Sequence, residues 1–307
     1  MYVLLGSSGQ ITSQLARRLL AAGHPVRVVG RQGGALAALR EAGAQTAIGD
    51  PSDAAFLERA FAGATAVYTM TPPCYGEPDM HAAQSHIGEA VVEALARARV
   101  RRVVNLSSIG AELPAGTGPI VGLHDQEQRL NALAGTEVLH LRPGSFMENT
   151  FAALATLAAG EPLMGMEAAD VPIPMVATRD IAAVAAHELV TPRHTGVLLL
   201  HAARHATMRE VAGAIGAATG RPDLPYVQVP AADMKAALRA EGFSADSADQ
   251  LEQLARWLST GGVASIAAGP ALEQPTRLED FAREVFAPAF AQAVGASVPT
   301  AAAASLR

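Results

Sequence analysis

An apolar run that turns through glycines into an amphipathic helix opens the chain. Tyr2 to Leu5 has the make-up of a buried parallel strand, and Gly6, Ser7, Ser8 and Gly9 form a tight turn. Gln14 to Ala22 then sets Leu15, Leu19 and Leu20 on one side of a helix and Arg17 and Arg18 on the other. A strand that turns through glycines into a helix aims backbone N–H groups and the positive end of a helix dipole at one spot, which suits a phosphate. Glycine belongs there because a side chain would block close approach of a pyrophosphate to the backbone. Gly6, Ser7, Ser8, Gly9, Gln10 and Ile11 are the candidate contacts.

The spacing Gly6-x-x-Gly9-x-x-Thr12 falls short of a full G-x-G-x-x-G, and alone it also fits an ordinary strand-to-helix turn. Its place directly after a strand, a second strand from Pro25 to Gly30, and Arg31 at that strand's end strengthen it. In a dinucleotide-binding fold the end of the second strand meets the adenosine ribose. An acidic residue there selects NAD, and an arginine pairs with the 2′-phosphate of NADP. No Asp or Glu lies between Gly23 and Arg40, so NADP(H) is expected over NAD(H); a solvated surface arginine is the alternative.

At 307 residues, half of them hydrophobic, the chain suffices for one large α/β domain and a smaller lobe. With net charge −6, scattered basic residues, four tyrosines and one tryptophan, a nucleic-acid partner is not expected. Cys74 is the only cysteine, so no internal disulfide forms and a reducing, cytoplasmic compartment is expected. No signal peptide and no membrane-spanning run are read from the sequence.

Strands are predicted at 2–5, 26–30, 45–48, 66–70, 102–107 and 137–141, and helices at 11–22, 33–43, 53–62, about 80–98 and about 124–134. This alternation implies a doubly wound parallel sheet with helices on both faces, a Rossmann-type α/β fold over 1–150. Ligands in such sheets bind outside the carboxyl ends of the strands. That brings Arg31, Asp50, Thr71, Pro72, Ser107, Ser108, Pro143, Gly144 and Ser145 into one crevice with the glycine turn. Beyond residue 150, helices are predicted at 150–159, 179–189, 207–219, 231–239, 245–258 and 277 to about 290, and strands at 171–176, 197–201 and 226–229. A segment of about 171–200 is expected to return to the first domain, 151–290 to form a smaller α/β substrate lobe, and 291–307 to be a disordered tail.

Several stretches together resemble the NmrA-like family of atypical short-chain dehydrogenase/reductases. They are Gly6 to Ile11, Gly49-Asp50 with Phe61-Ala62-Gly63-Ala64, Leu106 to Ala111, Leu141 to Asn149, and Ile173 to Ala182. The resemblance covers about residues 1–290 and implies an NADP(H)-binding Rossmann domain with a small C-terminal substrate lobe. The family includes quinone, azo-dye and triphenylmethane-dye reductases and redox-sensing regulators that bind dinucleotide without turnover. The chain departs from the pattern at Thr12, which replaces a third glycine, and in its catalytic inventory. Typical members of the wider superfamily use Tyr-x-x-x-Lys, whereas here Lys235 is the only lysine and no tyrosine falls in the expected helix.

His124 stands at that helix start, resembling the histidine found there in quinone and dye reductases, with orientation or protonation as its implied role; packing of the helix start is the alternative. Ser107 is the second catalytic candidate. His201-x-x-x-His205 has no completing carboxylate or cysteine, so no metal is expected. The expected function is hydride transfer from NADPH to a conjugated quinone- or dye-like small molecule without a Tyr/Lys pair, with a homodimer as the assembly considered. The alternative is a non-catalytic NAD(P)-binding redox sensor.

Overall fold

A computed structural model of the protein describes residues 1–6, 9–265 and 271–297. Six strands alternate with helices through the first half: β1 (Tyr2–Leu5), α1 (Gln10–Ala21), β2 (Val26–Gly30), α2 (Gly33–Glu41), β3 (Gln45–Ile48), α3 (Ala54–Phe61), β4 (Ala66–Met70), α4 (Met80–Arg97), β5 (Arg102–Leu106), α5 (Val121–Asn131) and β6 (Glu137–Pro143). The second half adds β7 (Ser145–Phe146), α6 (Leu154–Ala158), β8 (Leu163–Gly165), β9 (Met175–Val176), α7 (Thr178–Val190), β10 (Gly196–Ala202), α8 (Met208–Ala218), β11 (Tyr226–Gln228), α9 (Ala231–Ala240), α10 (Ala245–Ser259), β12 (Ala271–Gln274), α11 (Leu278–Phe281) and α12 (Ala287–Ser297).

Eight strands form one parallel sheet in the order β12-β10-β6-β5-β4-β1-β2-β3. In β1, Leu4 pairs with Val28 on one side and Tyr68 on the other. Strand order therefore reverses at β1, and the crevice outside the carboxyl ends of β1 and β4 is the ligand position of such sheets.

Alternation along the strands divides the core into two layers. Leu4, Val28 and Tyr68 pack with Leu15, Leu36 and Ile181 of α1, α2 and α7. Val3, Val29 and Val67 pack with Leu57, Leu95 and Leu130 of α3, α4 and α5. Strands covered on both faces bury every residue, which is why β1 is an unbroken apolar run. A third cluster, with Met147, Leu163, Val211, Tyr226, Phe281 and Phe286, lies under α8, α11 and the short parallel pair β8 and β11. Some helix starts carry side-chain caps: Asp53 of α3 accepts from the Phe56 N–H, Asp79 of α4 from the Ala82 N–H, and Thr207 of α8 forms a capping box with Glu210.

Some predicted boundaries move. The predicted strand 171–176 reduces to β9 with an isolated bridge from Ile173 to Ala206, because Pro172 and Pro174 have no N–H to give a ladder. The predicted helix 150–159 starts as 3-10 turns at Met147–Ala153 before α6. The helix expected from 124 starts at Val121, after a 3-10 turn at Gly118–Ile120. Residues 291–297, expected as disordered tail, continue α12, whose alanine-rich composition suits a helix. Residues 298–307 lie outside the described part.

Candidate functional site

At the carboxyl end of β1, Gly6 has φ 111°, a conformation side-chain-bearing residues avoid. A Cβ there would lie 3.1 Å from Thr12 Oγ1 and 3.4 Å from Met70 Cγ. Thr12 thus fills the space beneath Gly6, which accounts for a threonine where a third glycine was expected. Gly9 starts α1 with no side-chain cap and no acidic residue in the first turn, leaving the helix N-terminus suited to an anion. Gln10 is exposed, whereas Ile11 is 6% exposed and packs in the core, so the backbone is what Ile11 offers a ligand. Ser7 and Ser8, the other predicted contacts, lie outside the described residues.

Two adjoining recesses open at the same edge of the sheet. The larger, about 720 Å³, holds Arg31, Asp50, Pro72 and His86. Asp50 accepts from the backbone N–H and the hydroxyl of Ser52 at 2.9 and 2.8 Å. Those bonds, with the nearby Arg31 and His86 charges, hold its carboxyl below the usual range. Cys74 also lines this recess; burial and Glu77 push its thiol up, so it stays protonated rather than nucleophilic.

The smaller recess, about 320 Å³, brings together Thr71, Ser107, Pro143, Gly144 and Ser145. Pro73 and Tyr75 line both recesses and form the ridge between them. Gly144 is required by close packing: a Cβ there would stand 2.4 Å from the Pro174 carbonyl oxygen, and the Ser145 N–H donates to that same oxygen. Glu148 of the following turn accepts from the Thr178 N–H and hydroxyl at the start of α7, and Gln14 of α1 donates to the Thr178 hydroxyl at 3.0 Å. The loop after β6 is thereby locked to the helix that follows the glycine turn.

Ser107 is 3% exposed and donates its hydroxyl proton to Glu127. Glu127 in turn takes two bonds from Arg142, from Nε at 2.9 Å and Nη2 at 2.6 Å, and Arg142 Nη1 reaches Glu112 at 3.0 Å. With its proton committed to a carboxylate, Ser107 presents only lone pairs to the cavity. His124 is not among the cavity-lining residues; its Nδ1 donates to the Ala111 carbonyl at 2.8 Å from one turn inside α5. Lys235 lies on α9, paired with Asp249 and Glu252.

Sequence reasoning missed Tyr75 and Trp257. Tyr75 stacks on Phe243 with centroids 4.8 Å apart, and burial raises its phenol above the usual value, so it stays protonated. Trp257 lines the smaller recess from α10. Tyr75 lies farther along the β4-to-α4 connection than the strand-end residues Thr71 and Pro72, and Trp257 on α10 is brought in by long-range docking of the second half.

The fold defines a Rossmann-type α/β protein with two adjoining recesses along the carboxyl ends of its strands. The chain belongs to the NmrA-like family, whose model matches residues 2–281. It is 31% identical over 264 residues to an NAD(P)H azoreductase of Xenophilus azovorans, covering 83% of this chain and 86% of that one. It is 29% identical over 267 residues to a (4-alkanoyl-5-oxo-2,5-dihydrofuran-3-yl)methyl phosphate reductase of Streptomyces griseus, covering 87% and 90%. The fold matches an NADPH-dependent quinone oxidoreductase from Escherichia coli, solved with NADPH (TM-score 0.73, 20% identity, 93% and 100% covered). It also matches a Citrobacter sp. triphenylmethane reductase, solved with NADP(H) (TM-score 0.75, 19% identity, 92% and 99% covered).

Proposed function

We propose that the protein is an NADPH-dependent reductase of a conjugated, quinone- or dye-like small molecule. The observation that carries this is the pair of adjoining recesses: one holds Arg31, the other is largely apolar, and the glycine turn lies at the same edge of the sheet. A dinucleotide suits that arrangement, because Gly6 brings no side chain to the strand end and the uncapped start of α1 favours pyrophosphate.

In this reading Gly6 to Ile11 hold the pyrophosphate, Arg31 the 2′-phosphate, and Asp50 lies near the adenine. Thr71, Pro72, Ser107 and Pro143 to Ser145 surround the nicotinamide end. NADPH bound there supplies the hydride: a quinone takes it together with one proton from water to become a hydroquinone, and NADP⁺ is left. With Lys235 paired to Asp249 and Glu252 and with neither it nor His124 among the cavity-lining residues, the residues at hand offer positioning and water exclusion more than a Tyr/Lys proton relay. An acceptor that delocalises incoming charge needs little more than that placement.

The test is consumption of NADPH and NADH with quinones, azo dyes, triphenylmethane dyes and simple aldehydes. Turnover with at least one class of conjugated acceptor and not with aldehydes is expected, with NADPH preferred. Tight NADPH binding without turnover on any of them would replace this reading with that of a dinucleotide sensor.

A further inference from the structure

The wall of the smaller recess opposite the strand ends is α10 with the turn that follows it. Leu254, Trp257 and Leu258 line the cavity at helical spacing, and Val263 follows. Trp257, the only tryptophan, is wedged between two glycines. A Cβ at Gly110 would lie 2.9 Å from its Cη2, and one at Gly262 would lie 2.2 Å from its Nε1. Neither glycine can be enlarged without moving the indole.

The helix itself is tied down at three separate places. Asp246 accepts from the Met80 N–H at 2.9 Å, Gln253 from the Gly118 N–H at 2.9 Å, and Ser259 from the Ala168 N–H at 2.8 Å. The wall is therefore fixed rather than hinged. Among the described residues lining this cavity, none is Asp, Glu, Lys, Arg or His. Its volume of about 320 Å³ lies at the small end of the range for ligand sites.

We propose that this cavity selects a neutral, planar acceptor of one or two fused rings, laid against Trp257, and rejects charged or three-ring acceptors. The proposal rests on the reductase reading above. A sulfonate, a phosphate or a cationic dye would leave water and find no countercharge in the lining, a large penalty. A triarylmethane needs room that a fixed helix does not yield once a nicotinamide ring shares the space. The indole face offers a flat partner to a flat ring. Trp257 is thus a specificity-determining residue.

Two naphthoquinones that differ by one sulfonate test this, with saturable quenching of Trp257 fluorescence as the binding readout and NADPH oxidation as the turnover readout. The neutral quinone is expected to quench and to show kcat/KM at least about a hundredfold above the sulfonated one. Trp257→Ala should raise its KM about tenfold with kcat little changed, and Trp257→Phe should restore most of that loss. Equal use or equal quenching by the two quinones, no quenching by either, or an unmoved KM in Trp257→Ala overturns the proposal. If Trp257→Ala does not fold, the sulfonate comparison on the unaltered protein decides alone. Selective quenching by the neutral quinone with no NADPH oxidation by either would overturn the reductase reading while sustaining the cavity's preference.

Discussion

The Ser107 hydroxyl donates to the Glu127 carboxylate, which is 2% exposed and held from its other side by a two-pronged Arg142. Three elements meet in this contact: the end of β5, the middle of α5 and the end of β6. Arg142 also reaches Glu112 of the loop between them. The network fixes where the Ser107 oxygen stands and which way its lone pairs face.

Arg142→Met removes the cation and leaves Glu127 buried without its partner. Breaking a buried pair in this one-sided way costs about 3–5 kcal/mol. Urea unfolding should show a loss of that order. The double variant Arg142→Met with Glu127→Leu should recover a large part of it, since no unpaired charge remains. A single variant within about 1 kcal/mol of the unaltered protein would mean that water enters and screens Glu127.

Arg31→Glu should turn the cofactor preference. The variant sets a carboxylate in the recess that holds Asp50, repelling a 2′-phosphate and favouring a free ribose hydroxyl. NADPH affinity is expected to fall by about tenfold or more while NADH affinity holds or rises. Titration of both cofactors by fluorescence measures it; an unchanged ratio removes Arg31 from the site.

His140 makes the fold sensitive to mild acid. Its Nδ1 accepts from Asn105 at 3.2 Å and its Nε2 donates to Asn131 at 3.0 Å, while Thr69 donates to Asn105 at 3.0 Å. Both ring positions are thus assigned to the neutral imidazole. Burial, with Arg142 nearby, pushes the pKa below its ordinary 6.5 against the pull of Glu127. The unfolded chain therefore binds a proton at a pH where the folded one does not. Stability should be full above 6.5 and fall as pH drops below it, by up to about 1.4 kcal/mol per unit. Glu188, whose carboxyl burial pushes up but the N–H groups of Arg193 and His194 and the His194 side chain together hold below its ordinary 4.5, contributes stability lost only at lower pH. Unfolding measured between about pH 7.5 and 5 separates the two. His140→Gln, which offers one acceptor and one donor, should flatten the slope.

Much of this was legible because buried parallel strands leave a plain trace. Val26 to Gly30 and Ala66 to Met70 are mostly apolar stretches bounded by turns, and the strand ends they define carry Arg31 and Thr71. β12 left no trace: Ala271, Leu272 and Glu273 are exposed at the sheet edge, so nothing in their pattern marks a strand. Trp257 was equally silent, since an apolar helix face does not say what it covers. Ser107, Glu127 and Arg142 each sit in readable stretches, but their pairing depends on how α5 lies against β5 and β6. The helix expected from 124 starts three residues earlier, at Val121, because the 3-10 turn at Pro119 already sets the chain on its helical course.

That shift bears on His124, and one substitution separates the two roles open to it. With Nδ1 donating to the Ala111 carbonyl, the imidazole ties α5 to the loop that carries Ser107 and Ser108. In that role His124 is a positioning residue, and what it contributes is a single N–H. Asparagine offers an N–H at a similar reach and cannot pass a proton at neutral pH. His124→Ala should then lower kcat by about tenfold with cofactor affinity nearly unchanged, and His124→Asn should recover most of the loss. Its pH–rate profile should keep the shape of the unaltered protein. A proton donor behaves otherwise: His124→Asn would be as slow as His124→Ala, and the pH–rate profile would change shape. Rescue by asparagine would place the chemistry on cofactor and acceptor, with the protein's part confined to holding them; failure of rescue would return the imidazole to the reaction.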